Sequence, residues 1–364
     1  MIARTILSIV VSLVVAGCTI TGEQVRDTVG EGLYSVGAKG VNGKRLIAMT
    51  TLEGYLVESG AGTHSAVRLL TGMKGAKPIA VDPVAIGAGA EGVYVVDASN
   101  AGLTRFRWQS PGGKEKGSDP AKDNAGLGRS ENVRLGQISE IEEPSDLFVT
   151  QTGDLFIADA KGSKVVRYDK DGKRQQDYSD ELNLRRPVAV TVDARGLRIV
   201  VADAFYDRLI VFNPRGMSLY GIGQRGDEPG GFRNIRGMVQ GRDGLLYVMN
   251  GMRPDIQVYG LDSTYVGSFG AGVLEDPAGM AVDDENRIYV SDRFLHKILV
   301  FSNRKLVEKY GRFGKKPGEF NQPARMAFHH GYLYVADSKN SRIQAFRVVP
   351  EKLIEKDGEG GDAK

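Results

Sequence analysis

The sequence predicts an all-β fold, a β-propeller of four-stranded blades, on three observations. A unit of two apolar runs around a polar turn, such as IYVSDRFLHKILVF at 288–301, recurs along the chain. Apart from one longer gap, its copies are spaced by roughly 40–50 residues, a period typical of strand-built repeats. Each clear copy holds four short runs separated by turn residues, and no stretch has a convincing helical period. Short antiparallel strands repeated in this way form propeller blades.

The first residues predict export and lipidation. Residues 1–17 carry one Arg and a short apolar run, the pattern of a signal peptide. The segment Val15-Ala16-Gly17-Cys18 resembles the lipobox of bacterial lipoproteins, which implies acylation of Cys18 with chains such as palmitate. The alternative is an ordinary cleaved signal peptide. Residues 18–32 then form a lipidated tether, and Thr19 favours the outer over the inner membrane of the bacterial cell envelope.

The propeller itself is predicted over residues 33–350. Six copies of the unit are explicit, and a Pro or polar residue precedes the first strand of each clear one. Residues 55–58, YLVE, resemble a degenerate copy of the unit, so a seven-bladed ring is the alternative. We expect six blades, with N-terminal strand material pairing with the last blade and covering its open edge.

Two polar segments interrupt or follow the repeats. Residues 109–132 account for the longer gap and are rich in Gly, Pro, Lys and Asp, so we expect a flexible insertion between the outer strands of one blade. Residues 351–364 are charged and Gly-rich, which predicts a disordered tail.

An acid, or Asn in its place, ends the second strand of each copy. A short carboxylate there can accept backbone N–H groups and fix the following turn. Repetition in every copy favours this structural role, because a catalytic acid would not need six copies. The predicted structural turn residues are Asp97, Asp159, Asp203, Asn250, Asp292 and Asp337.

The connectors between copies carry a family resemblance. GIGQRGDEPGGF at 221–232 and GRFGKKPGEFNQP at 311–323 resemble the G-x-x-G-x-x-x-G-x-F-x-x-P connector of NHL repeats. The resemblance covers residues 144–349 and extends more weakly back to about residue 77. It implies a β-propeller, usually of six blades, and implies little about activity.

Ligands of propellers usually bind where the loops after second strands meet the loops that enter inner strands. These loops are rich in Arg and aromatic residues, which dominate protein interfaces. Their alternative role is structural, with Arg in salt bridges and aromatic rings over blade seams. The predicted binding face comprises Phe205, Tyr206, Arg208, Arg233, Arg253, Arg293, Phe294 and His296, and the same loops also carry Arg225, Arg236, Met252 and Arg325.

Composition and motifs argue against several classes of function. The net charge of +3 argues against a nucleic-acid partner. No nucleophile motif or phosphate-binding loop is present. His296 is expected on the face opposite His329 and His330, so a zinc site, which needs three or four converging ligands, is not expected. We therefore predict no catalytic residues, no metal and no cofactor, and a lipid-anchored scaffold that binds envelope proteins. The alternatives are an envelope lyase or hydrolase with its site in the central channel, and a glycan-binding module.

Overall fold

The computed structural model describes residues 46–53, 83–97, 102–107, 132–137 and 140–349. Several predicted features lie outside these residues, and they are the signal peptide (1–17), Cys18 and the tether (18–32), the possible extra copy at 55–58, the insertion over 109–131 and the tail (351–364).

The described chain is built from short β-strands. A single 3₁₀ turn, Ser338–Asn340, interrupts them. No helix among the described residues is long and apolar enough to cross a bilayer. The strands are β1 Leu46–Glu53, β2 Pro83–Gly89, β3 Gly92–Asp97, β4 Gly102–Arg107, β5 Asn132–Gln137, β6 Pro144–Val149, β7 Leu155–Asp159, β8 Lys164–Tyr168, β9 Arg174–Ser179, β10 Pro187–Val192, β11 Ile199–Asp203, β12 Arg208–Phe212, β13 Ser218–Ile222, β14 Gln224–Arg225, β15 Gly231–Phe232, β16 Ile235–Gln240, β17 Leu246–Asn250, β18 Ile256–Tyr259, β19 Tyr265–Phe269, β20 Pro277–Val282, β21 Ile288–Asp292, β22 Lys297–Ser302, β23 Lys305–Tyr310, β24 Pro323–His329, β25 Tyr332–Asp337 and β26 Arg342–Val348.

Within the described residues, all of these strands except β14 and β15 form six four-stranded antiparallel sheets, the blades of one propeller. Strands β14 and β15 form a short parallel pair in the connector between blades 3 and 4. Blades 1 to 5 are β2–β5, β6–β9, β10–β13, β16–β19 and β20–β23, each in chain order. Their first strands line the centre, and each contacts the first strand of the next blade. Because β24 of blade 6 contacts β2 of blade 1 directly, the ring is closed at six. The predicted six-bladed propeller is confirmed.

Blade 6 takes its outer strand from the other end of the chain. Its sheet has the order β24, β25, β26, β1. Strand β1 runs antiparallel to β26, with Leu46 opposite Val348 and Glu53 opposite Arg342. This pairing satisfies the edge of β26 and ties the two ends of the ring together. Closure by N-terminal strand material is therefore confirmed.

The core lies between the blades. Buried apolar side chains of the described residues form six clusters, each shared by two neighbouring blades. Second strands such as Leu155–Asp159 and Ile199–Asp203 are buried at every residue, because both of their faces meet a neighbouring blade. This double burial explains why they are almost uninterrupted apolar runs in the sequence. Outer strands such as Lys305–Tyr310 alternate between exposed and partly buried positions.

Candidate functional site

One face of the ring gathers two kinds of loop. Loops between second and third strands emerge there, together with the connectors from each outer strand to the next inner strand. We call this surface the loop face. Between blades 2 and 6 it comprises residues 180–186, 204–207, 223–234, 251–255, 270–276, 293–296 and 311–322. All eight residues of the predicted binding face lie in these segments or, for Arg208, at the first position of the strand that follows one.

The turn residues anchor this face. The buried carboxylate of Asp203 accepts the backbone N–H groups of Phe205 and Tyr206 in the turn that follows. It also accepts those of Arg185 and Arg186, in the connector that enters the blade, at 2.6 Å each. One buried side chain therefore fixes two adjacent loops. Holding the connector as well as the turn is a role that sequence reasoning missed.

The same arrangement recurs around the ring with one variation. Asp159 and Asp292 each accept N–H groups from the connector and the turn of their own blade. Asn250 also accepts a connector N–H, while its amide donates to the buried carboxylate of Asp255 at 2.8 Å. Asp337 accepts the N–H of Asn321 in the connector. The side chain of Asp97 lies outside those described.

A cleft of about 500 Å³ opens beside the turn that Asp203 holds. The rings of Phe205 and Tyr206 meet edge to face with centroids 4.9 Å apart. Arg208 stacks over Tyr206 at 4.9 Å and donates to the side-chain oxygen of Asn183. The cleft is lined by Arg186, Ala204, Phe205, Tyr206 and Arg225. Sequence reasoning found both aromatic residues and Arg225 but missed Arg186, which lies in a connector away from the repeated motif.

Arg225, in the connector between blades 3 and 4, is held against the turn of blade 3 that carries Phe205 and Asp207. Its Nε donates to the buried carboxylate of Asp207 at 2.9 Å, and a second nitrogen donates to the carbonyl of Phe205. The other carboxylate oxygen of Asp207 accepts the N–H of Ile235 at the start of blade 4. The Asp207 carboxylate therefore links the aromatic turn to the next blade.

Two further predicted arginines converge on the connector before blade 4. Arg233 makes a bidentate pair with Asp227, and this hydrogen bond lowers the pKa of Asp227. Arg253 donates to the carboxylate of Asp255 and to the carbonyls of Asp227 and Gly231. Both guanidiniums are engaged within the protein, so they serve mainly to hold this connector.

Arg293 is engaged in the same way in blade 5. It binds both oxygens of Asp276, and Arg236 of blade 4 binds the same carboxylate at 2.6 Å. Partial burial opposes ionisation of Asp276, but the two guanidiniums outweigh it and lower its pKa. The sequence predicted Arg293 as part of the binding face. The structure uses it to join two blades.

Apolar side chains stand exposed along the loop face. Phe294 is one of them, and the partly buried His296 accepts the N–H of Gln322 and packs against the ring of Phe313. Sequence reasoning missed Leu182 and Phe313, because both lie in connectors rather than after a marker acid. The exposed fractions are 81% for Leu182, 76% for Met252, 71% for Phe294, 66% for Phe313, 52% for Phe205 and 36% for Tyr206.

The central channel is crossed by Arg325. A register shift between Pro323 and Met326 leaves Arg325 outside the ladder of blade 6. Its guanidinium donates to the carbonyls of Val188 and Arg236, on the opposite blades 3 and 4. A charged side chain therefore spans the channel at this level. The described residues give no support to an enzymatic site there, and that alternative stays a prediction.

The three histidines that the structure describes do not converge on one site. No group of three His, Cys, Asp or Glu suited to a metal ion occurs among the described residues. His329 and His330 lie where β24 turns into β25, at the end of the ring away from His296. Burial lowers the pKa of His329 to about 4, and the neighbouring His330 adds to the effect.

No family model matches the chain. The Drosophila melanogaster protein named brain tumor is 27% identical over 128 residues, which is 34% of this chain and 12% of that protein. The chain thus corresponds to a small part of this curated relative. A solved streptogramin B lyase is 14% identical with a TM-score of 0.52, over 74% of this chain and 94% of the lyase. A chain from a nidogen–laminin complex is 18% identical with a TM-score of 0.54, over 68% of this chain and 86% of that one. These similarities support the propeller fold and are consistent with the NHL-type repeat that the connectors predict.

Proposed function

We propose that this protein is a protein-binding scaffold, anchored by lipid at Cys18 to the bacterial cell envelope, that engages envelope proteins through its loop face. The observation that carries the proposal is the row of exposed apolar side chains on that face. Leu182, Met252, Phe294 and Phe313 are each at least 66% exposed, and they come from loops and connectors spread over blades 2 to 6.

Covering such side chains is energetically favourable. Burying a Phe, Leu or Met side chain is worth about 1.5–3 kcal/mol relative to full exposure. The loops and connectors that present them are already held by the turn residues Asp203, Asn250, Asp292 and Asp337. Binding therefore orders little chain, and more of the burial energy is available as affinity.

The comparisons add support at the level of the fold. One of the similar solved structures is a complex of nidogen with laminin, which favours a protein partner. The similarity to a streptogramin B lyase shows that the fold can also belong to an enzyme. The exposed apolar row favours the scaffold over that alternative, because a catalytic pocket does not need apolar groups spread over several blades.

Cys18→Ser tests the anchor. With an alkyne-labelled palmitate, we expect incorporation into the wild-type protein and none into the variant. The wild type should fractionate with outer membranes. Wild-type protein without label, or a variant that keeps it, would refute anchoring at Cys18.

The binding face is tested by a matched pair of methionines. Met252 lies on the loop face, whereas Met217 is 60% exposed in the hairpin between β12 and β13, at the opposite end of the blade. The tagged protein is cross-linked in intact cells and extracted with a mild detergent. We expect Met252→Ser to weaken recovery of a stoichiometric envelope partner, and Met217→Ser to leave recovery unchanged. Equal recovery with both variants, at unchanged circular dichroism, would contradict binding through this face.

A further inference from the structure

The cleft lined by Arg186, Phe205, Tyr206 and Arg225 points to a particular partner chemistry. We infer that it accepts an acidic side chain of a peptide segment, with an apolar side chain beside it. This inference rests on the proposed function and adds the chemical class of the contact. It depends on three observations, which are the weakly paired guanidinium of Arg186, the apolar walls of the cleft and the fixed backbone beneath it.

The two arginines that line the cleft differ in how firmly their charges are paired. Asp207 neutralises Arg225 at 2.9 Å. Among the described residues, the carboxylate of Glu143, at 3.9 Å, is the one within ion-pair distance of Arg186, and both side chains are more than half exposed, so this pair contributes little. Arg208, stacked on Tyr206, has no carboxylate within ion-pair distance among the described residues. A carboxylate entering the cleft could therefore pair with Arg186 in place of the distant Glu143.

The walls supply the apolar part of the site. Phe205 and Tyr206 expose their rings to solvent, and Leu182 is 81% exposed in the connector that also carries Arg186. Asp203 holds the backbone of both segments. A peptide with an acid next to an aliphatic or aromatic residue could pair with Arg186 and cover a ring at the same time.

The surroundings favour a peptide over a polyanion. The apolar row continues along the loop face to Met252 and Phe294, and a nucleic acid or an acidic glycan would leave it exposed. A protein surface can place single acids at the arginines and apolar groups between them.

The test uses a random peptide library displayed on phage and selected on the immobilised full chain. We expect enrichment of Asp or Glu next to Leu, Ile, Phe or Trp. A fluorescein-labelled peptide from the enriched set is then compared by anisotropy with the same peptide carrying Asn or Gln. The acidic form should bind about tenfold more tightly, with an affinity that falls as salt is added.

Two matched arginines locate the contact. Arg186→Gln should weaken binding of the acidic peptide about three- to tenfold. Arg195→Gln makes the same charge change in the exposed hairpin at the other end of blade 3 and should leave binding unchanged. Phe205→Ala should weaken both peptide forms, because it removes a wall that each of them uses.

Any one of four results would overturn the inference. These are a library without acidic enrichment, equal binding of the acidic and amide peptides, equal effects of the two Arg variants, or Arg186-dependent binding of single-stranded RNA or anionic vesicles in place of peptide. If Met252→Ser still reduces partner recovery in cells, the loop face stands as an interface and only the acidic-peptide assignment fails. If Met252→Ser also has no effect, the proposed function fails as well.

Discussion

Asp203 links the fold to the loop face, and its removal is the most informative single change. The side chain is fully buried. One carboxylate oxygen accepts the N–H groups of Phe205 and Tyr206, and the other accepts those of Arg185 and Arg186. Asp203→Ala therefore removes the acceptor from four backbone donors at once.

The size of the effect follows from those donors. A buried donor left without a partner costs about 1–3 kcal/mol. The four residues that donate have exposed side chains, so water can reach part of this backbone once the turn relaxes. We therefore expect a loss of about 3–5 kcal/mol in the free energy of unfolding, at the upper end for single substitutions. Binding of the acidic peptide should weaken too, because Arg186, Phe205 and Tyr206 lose their common support.

Asn250 supplies an internal comparison. There an amide is tolerated because its NH₂ group donates to Asp255, five residues later. The residue five positions after Asp203 is Arg208, which cannot accept a hydrogen bond. Asp203→Asn therefore points an NH₂ group at two N–H donors and should cost about 2–4 kcal/mol, although it is nearly isosteric.

The assay is urea denaturation followed by circular dichroism, with the midpoint and slope compared between variants. Asp193→Ala is the control, because Asp193 holds a turn at the other end of blade 3, where fewer groups depend on it. A loss below about 1 kcal/mol for Asp203→Ala would refute the idea that the carboxylate supports both loops. Equal losses for the Asp203→Ala and Asp193→Ala variants would do the same.

Three further predictions concern the rest of the ring. Arg325→Leu removes the hydrogen bonds across the channel and should lower the free energy of unfolding by about 2–4 kcal/mol, and an unchanged urea midpoint would contradict it. The pKa of His329 is lowered from 6.5 to about 4, so between these pH values the unfolded chain binds a proton that the folded chain does not. The free energy of unfolding should therefore decrease as the pH falls from 6.5 to about 4. In His329→Gln this decrease should be smaller by up to about 3 kcal/mol, and parallel pH profiles of the two proteins would disprove the effect. A chain lacking residues 1–53 loses β1, so it should melt at lower temperature and self-associate through the free edge of β26, whereas monomeric light scattering at an unchanged melting temperature would refute this role of β1.

Local chemistry made much of the fold predictable. A strand buried on both faces must be almost wholly apolar, so runs such as LFIAD at 155–159 mark the second strands. A turn that follows needs an acceptor for its N–H groups, which places Asp203 and Asp292 at strand ends. The recurrence of this strand-and-turn unit gave the spacing of the blades. These features depend on residues close together in sequence, so they could be interpreted without coordinates.

The number of blades and the candidate site required the tertiary structure. Whether residues 55–58 add a blade could not be decided locally, because closure depends on β2 meeting β24 across the whole chain. The arginines of the loop face look alike in sequence. Arg293 and Arg236 share Asp276, and Arg325 reaches Val188, which lies 137 residues away. Arg186 has no such firm partner. Sequence thus determined which residue types reach the loop face, and long-range pairing decided which charges remain available, because an ion pair depends on distance in space rather than along the chain.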